Sequence, residues 1–222
     1  MSEDQLPDPD AGVQEPGRHP LRPSLNPWFL AALAGLVLIP AIRPLLRFEP
    51  DPPQVLRQLP QWRLVDQNGE AFGSDDLAGE VYVASFLFTR CATVCPRLTA
   101  SLRRLERRYR EEGVEGVRLV SFTVDPEYDT PERLRDYAGS RSIDLERWSL
   151  LTGAEPEVRS VVVDGFALPM GERLDLAGGL VDVAHAARLA LVDRDGGVRG
   201  YYGSDAVGLD EVFHRTRQVL AE

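Results

Sequence analysis

The spacing of apolar positions changes several times along the chain, and each change marks an element. Residues 81–88 (Val-Tyr-Val-Ala-Ser-Phe-Leu-Phe) form a nearly continuous apolar run, which predicts a central strand covered on both faces. From Pro96 to Glu112 the pattern turns helical, with Leu98, Leu102, Leu105 and Tyr109 opposite Arg103, Arg104, Arg107 and Arg108. Val117 to Val124 predicts a second buried strand, and Thr130-Pro131-Glu132 opens a helix with a Thr cap and proline at its first position. Ahead of these, Trp62 to Asp66 and Ala71-Phe72 flank an Asn68-Gly69 turn. Trp148 to Leu151 predicts a short strand, and Pro156 to Val163 a helix that ends near Gly165. The stretch from Phe166 to Ala184 has no clear period and reads as a long loop, a length at which loops are often functional. Ala187 to Val192 and Val198 to Tyr202 flank Asp195-Gly196-Gly197 as a hairpin, and Leu209 to Leu220 predicts a last helix burying Leu209, Val212, Phe213 and Leu220. Strands alternating with helices and closing on a hairpin and helix predict an α/β chain, a three-layer sandwich.

The first 60 residues follow no such pattern. Residues 1–24 hold acidic side chains and prolines with almost no large apolar group, so they are expected to be a disordered tail. Every residue from Pro27 to Ile42 is uncharged. That run falls just short of a membrane span, but Leu45 and Leu46 extend it if Arg43 snorkels to the interface, so residues 25–47 are read as a single transmembrane anchor. A cleaved signal peptide is the alternative, but no Ala-x-Ala pattern follows the run. Arginines flank both sides, so the positive-inside rule leaves the orientation open. Residues 48–60 are a proline-rich linker, and residues 61–222 form one domain.

Composition narrows the function. The formal net charge of −10 argues against a nucleic acid held through its phosphates. All 25 basic residues are arginine, from which no function is drawn. The arginines opposite the apolar side of the Pro96–Glu112 helix read as a solvated face, with a docking patch as the alternative. The two cysteines, Cys91 and Cys95, are too few for a disulfide scaffold or a four-thiolate zinc site. They sit between the central strand and the amphipathic helix, where a helix N-terminus favours thiolate. At i and i+4 they share a helical face with a rise of roughly 6 Å, so they can chelate one metal or, after a small backbone adjustment, form a disulfide. Two soft thiolates favour Cu(I) and leave a third donor to be found, for which His185, at the end of the long loop, is the candidate. His19 lies in the tail, and His214 falls beside the apolar face of the last helix. Met170 is the one internal methionine, which excludes a methionine-rich copper site.

Phe88-Thr-Arg-Cys-Ala-Thr-Val-Cys-Pro96, Val124-Asp-Pro-Glu-Tyr-Asp-Thr-Pro131, Leu151-Thr-Gly153 and His185 before Leu191-Val-Asp-Arg-Asp-Gly-Gly-Val-Arg-Gly-Tyr-Tyr202 resemble, in order, the Sco/SenC family of membrane-anchored copper proteins. The resemblance covers about residues 61–222. It implies a thioredoxin-like fold and copper held by Cys91, Cys95 and His185. It also implies delivery of copper, or of reducing power, to a cytochrome c oxidase subunit or another copper acceptor. An anchored chain in the bacterial inner membrane with its domain on the periplasmic side is implied too. The family often has Asp before the histidine and Ser or Thr after it, where this chain has Ala184 and Ala186. A carboxylate that orients the imidazole is missing there, with Asp182 or Asp125 as substitutes. The residues also suit a thiol-disulfide oxidoreductase working through Cys91 and Cys95. Against it stand the spacing of three residues between the cysteines and the absence of any proline after Pro169. A peroxiredoxin pattern would need proline and threonine where Ala84 and Phe88 stand. A merely structural disulfide would close too short a loop to constrain the unfolded chain much.

Overall fold

The computed structural model describes residues 26–42, 51–175, 181–185 and 188–222. The chain divides into two units, residues 1–50 and 51–222. In the first, α1 (Pro27–Ile42) is a 16-residue helix without a charged side chain, and Trp28, Leu36 and Ile39 on it are exposed. At about 1.5 Å per residue it is roughly 24 Å long, below the ~30 Å of a bilayer core. Among the described residues, no helix is long and apolar enough to cross a membrane. Residues 1–25 and 43–50, which include the acidic tail and the flanks of the expected anchor, lie outside the described residues.

The second unit is built on an eight-stranded sheet. Its strands are β1 (Arg57–Gln58), β2 (Arg63–Asp66), β3 (Ala71–Gly73), β4 (Val81–Leu87), β5 (Val117–Thr123), β6 (Trp148–Thr152), β9 (Arg188–Val192) and β10 (Gly197–Gly203), in the order β1-β10-β9-β4-β5-β6-β2-β3. β4, β5 and β6 run parallel, which requires crossover connections. These are α2 (Val94–Glu111) and α3 (Pro131–Arg141), which right-handed crossovers put on one face of the sheet. Thr99 of α2 and Tyr137 of α3 hydrogen-bond at 2.7 Å, and Tyr109 of α2 bonds Thr216 of α5 (Ala206–Leu220) at 2.8 Å. Every residue of β4 is buried, as its unbroken apolar run requires. Phe86 and Phe122, paired in register, stack on each other and are covered by Trp62 and Phe166 through edge and tilted ring contacts. On the opposite side of these strands Ser85 and Ser121 bond each other at 2.6 Å, and Trp148 Nε1 donates to Ser121. The two hydroxyls thereby satisfy one another and the indole inside an apolar layer, where an unpaired polar group costs about 1–3 kcal/mol.

The stretch from Phe166 to Ala184 departs from the expected loop. After α4 (Glu155–Arg159) and a wide turn at Ser160–Gly165, strands β7 (Met170–Asp175) and β8 (Val181–His185) pair antiparallel as a separate two-stranded sheet. The register shifts between Met170 and Arg173, and beyond it Arg173 faces Val183 and Leu174 faces Asp182. A broken register with mixed apolar and charged partners erases the two-residue period by which a strand is read from sequence. Residues 176–180 and 186–187 lie outside the described residues.

Candidate metal centre

The parallel strand β4 delivers Phe88-Thr89-Arg90-Cys91 at its carboxyl end, the edge at which open α/β sheets place their sites. A turn bond from Cys91 N to Phe88 O (3.3 Å) reverses the chain into α2. Thr93 stands at the cap position of α2, but its side chain makes no capping bond. The sulfur of Cys91 takes that role and accepts the Cys95 N–H at 3.3 Å. Pro96 lies within the first turn, where its missing N–H has no helical partner to lose.

Both cysteines are reduced and buried, Cys91 6% and Cys95 0% exposed. Their titrations diverge. Burial raises the Cys91 pKa, but the amides of Cys95, Thr93 and Val94 and the Cys95 thiol outweigh it, so the thiol lies below its ordinary value. Burial also dominates at Cys95, where the thiolate of Cys91 and the carboxylate of Asp129 add to it, and this thiol is held well above the ordinary range. The two thiols are thus biased in opposite directions, Cys91 towards thiolate and Cys95 towards the protonated form. Alkylation by iodoacetamide is therefore expected to titrate at Cys91 below the usual thiol pKa of about 8.5. Cys95 is expected to stay unmodified until the chain unfolds. Peptide mapping of alkylated samples across a pH series checks both.

The cysteine loop is fixed by the chain after β5. Asp129, 0% exposed, accepts from Thr89 N (3.1 Å), Thr89 Oγ1 (2.5 Å) and Thr123 Oγ1 (2.6 Å). Arg90 pairs with Asp125 through Nη2 (2.5 Å) and Nε (3.1 Å), and its guanidinium lies 4.0 Å from the Tyr128 ring centroid. Arg133 of α3 lies over the same ring at 3.7 Å. Thus Val124-Asp-Pro-Glu-Tyr-Asp-Thr130 acts as a bracket for residues 89–91. Thr89, Arg90 and Asp129 lie inside the two motifs that carry the resemblance, but nothing in the sequence assigns them a role, and Asp129 before a helix reads first as a capping residue. Thr130 is indeed the cap of α3, accepting from Arg133 N at 3.4 Å, and Asp129 turns inward.

The other sequence-derived residues are placed as follows. His185 ends β8, directly opposite Met170 of β7. Met170, whose position the sequence leaves open, is buried, and its carbonyl accepts from Arg159 Nη1 at 3.4 Å. His214 is exposed on α5, 3.6 Å from Asp210, and His19 lies outside the described residues. Among the described residues, no three His, Cys, Asp or Glu side chains gather in metal-ligating geometry. The donor chemistry itself fits a soft monovalent ion: two adjoining sulfurs, one already inclined to thiolate, at a helix N-terminus.

The SCO1/SenC family model matches residues 51–221. The SCO1 protein homolog of Bacillus subtilis is 32% identical over 154 residues, 67% of this chain and 75% of that protein. Among solved structures, BsSco, described as carrying a disulfide switch and belonging to the Sco family of cytochrome c oxidase assembly proteins, aligns with a TM-score of 0.67 and 27% identity. That alignment covers 78% of this chain and 98% of BsSco. Copper-bound ScoI of Bradyrhizobium japonicum aligns with a TM-score of 0.59 over 73% of this chain and 99% of its own; at 23% identity this likeness is one of fold. With the match spanning all but the last residue of the second unit, the chain belongs to the SCO1/SenC family.

Proposed function

We propose that this protein binds copper and hands it to an acceptor during assembly of cytochrome c oxidase. The observation that carries the reading is the pair of buried free thiols where the chain enters α2, the Cys91 sulfur accepting the Cys95 N–H, in a chain of this family. Cys91 and Cys95 supply the two thiolates and His185 the imidazole nitrogen. Copper is the cargo, and the protein's part is to deprotonate and present the sulfurs. Cys91 is already biased to thiolate, whereas Cys95 gives up its proton only as the ion arrives, because a cation offsets the burial and like-charge costs that hold it neutral. Bracketing by Asp129 and Asp125 keeps the loop in place between loading and release.

The apolar run of α1, with Leu45 and Leu46 following it in the sequence, anchors the chain in the bacterial inner membrane, with residues 48–60 as spacer and the domain of residues 61–222 on the periplasmic side. Reduced full-length chain, titrated anaerobically with Cu(I) against a chromophoric chelator, is expected to hold one copper per chain. Absence of binding at a chelator-limited free copper level removes the reading.

The split titration of the two thiols favours a second reading, thiol–disulfide exchange on a partner. Cys91 would attack and Cys95 would resolve the mixed disulfide. Steady insulin reduction by copper-free protein would put this activity first.

A further inference from the structure

Of the twelve arginines on the described helices, some are matched by a carboxylate. Arg108 pairs with Glu112 and Asp210, Arg110 with Glu106 and Asp144, Arg159 with Glu155, and Arg217 with Glu112. The outward ridge of α2 is different. Its exposed positions from the first turn onward are Arg97, Ala100, Arg104 and Arg107, and no carboxylate occupies the ridge before Glu111. Among the described residues none of these three arginines has an acidic partner, and Arg104 bonds only to Ser101 Oγ, at 2.9 Å. The three like charges span roughly 15 Å of one helix, and the pair three residues apart, Arg104 and Arg107, repels by a few tenths of a kcal/mol.

The ridge also has a direction. It starts two residues after Cys95 and continues from the cover of the site, where Ala92, Thr93 and Val94 are exposed and Val94 shows 41% of its surface. The exposed tip at residues 92–94 and the ridge are consecutive along the chain, so a partner docked on the ridge has Cys91 beside its end. The chain as a whole is acidic, at −10. Beyond about 8–10 Å that charge is largely screened at physiological salt, so the local cationic stripe governs contact.

We infer that Arg97, Arg104 and Arg107 form a docking ridge for a protein partner with an acidic surface beside its own thiol or metal-binding group, oriented so that this group meets Cys91. The inference rests on Cys91 being the point of exchange, as proposed above, but not on copper being what is exchanged. A protein is favoured over an anionic bilayer because the ridge and the sulfur are approached together, and a flat lipid surface would cover the site without offering it an acceptor.

The test uses the full chain, reduced, in phosphatidylcholine nanodiscs. Two synthetic peptides carry a cysteine activated as a thionitrobenzoate disulfide, one flanked by glutamates and the other by serines. The Cys91 thiolate attacks the peptide sulfur, a Cys91–peptide disulfide forms, and thionitrobenzoate leaves with the bonding pair, which gives an absorbance rate. The wild type is expected to react roughly tenfold faster with the glutamate peptide at low ionic strength, with the advantage lost in high salt. R97Q/R104Q/R107Q is expected to lose that advantage while its rate with the serine peptide is unchanged. Retention of the glutamate preference by the triple variant, or its absence in the wild type, overturns the inference. So does a charge effect seen only when phosphatidylglycerol is added to the nanodiscs, which assigns the ridge to lipid. Copper stoichiometry measured in parallel separates the two proposals: a chain that holds no copper yet keeps the glutamate preference loses the copper reading and retains the ridge.

Discussion

Cys91→Ser and Cys95→Ser are each expected to lower Cu(I) affinity by more than about a hundredfold, the largest binding effects in the molecule. A hydroxyl is a hard donor and stays protonated at neutral pH, so either change removes one of the two soft anionic ligands proposed above. The two variants are expected to differ elsewhere. Cys91 also accepts the Cys95 N–H at the start of α2, and a serine oxygen can keep that capping bond, so the fold should tolerate it well. Cys95 is completely buried, and serine there places a hydroxyl in an apolar setting. It should therefore lower stability by about 1–2 kcal/mol besides weakening copper binding. His185→Ala tests the third donor, with an expected loss of about tenfold to a hundredfold at unchanged stability. Competitive chelator titrations give the affinities, and urea melts followed by tryptophan fluorescence give the stabilities. Copper binding unchanged in His185→Ala would leave a two-coordinate thiolate site and remove the histidine from it.

The contrast between these residues shows what a single sequence discloses. The unbroken run of β4 and the apolar period of α2 are imposed by burial on both faces or on one, so their positions are legible directly, and with them the place of Cys91 and Cys95 at the strand-to-helix junction. The β7–β8 hairpin is not legible, because its irregular register pairs Arg173 with Val183 and leaves no alternation. His185 thus ends a strand where the sequence pattern reads as a loop. The two motifs that form the bracket around Thr89 are visible in the sequence, but their contact is not. Asp129 lies 40 positions from Thr89 along the chain, and only the parallel pairing of β4 with β5 brings Leu87 beside Thr123 and so makes the two loops neighbours.

Asp129 carries the second large effect. Replacing it with alanine leaves the Thr89 amide and the hydroxyls of Thr89 and Thr123 without their acceptor in a fully buried place. An expected destabilisation of about 2–4 kcal/mol follows. A loosened Thr89 releases the segment that carries Arg90 and Cys91, so copper affinity should fall by about tenfold to a hundredfold, the range seen when residues that orient metal ligands are lost. Asp129→Asn keeps one acceptor oxygen and should recover part of both losses.

The pH dependence fixes the charge state. Burial holds the Asp129 carboxyl above its ordinary value, against the opposing hydrogen bonds from Thr123 and Thr89 and with a further upward push from Asp125. A carboxyl whose folded pKa is raised contributes its stability fully below the unfolded value of about 3.9 and loses it as pH rises through the folded value. The stability difference between wild type and Asp129→Asn is therefore expected to be largest in acid and to shrink as pH rises towards neutrality. Urea melts of both proteins over that range isolate the term, since every other carboxylate is common to the two. A difference that grows with pH would mean that the three donors outweigh burial and that Asp129 holds the cysteine loop chiefly as an anion.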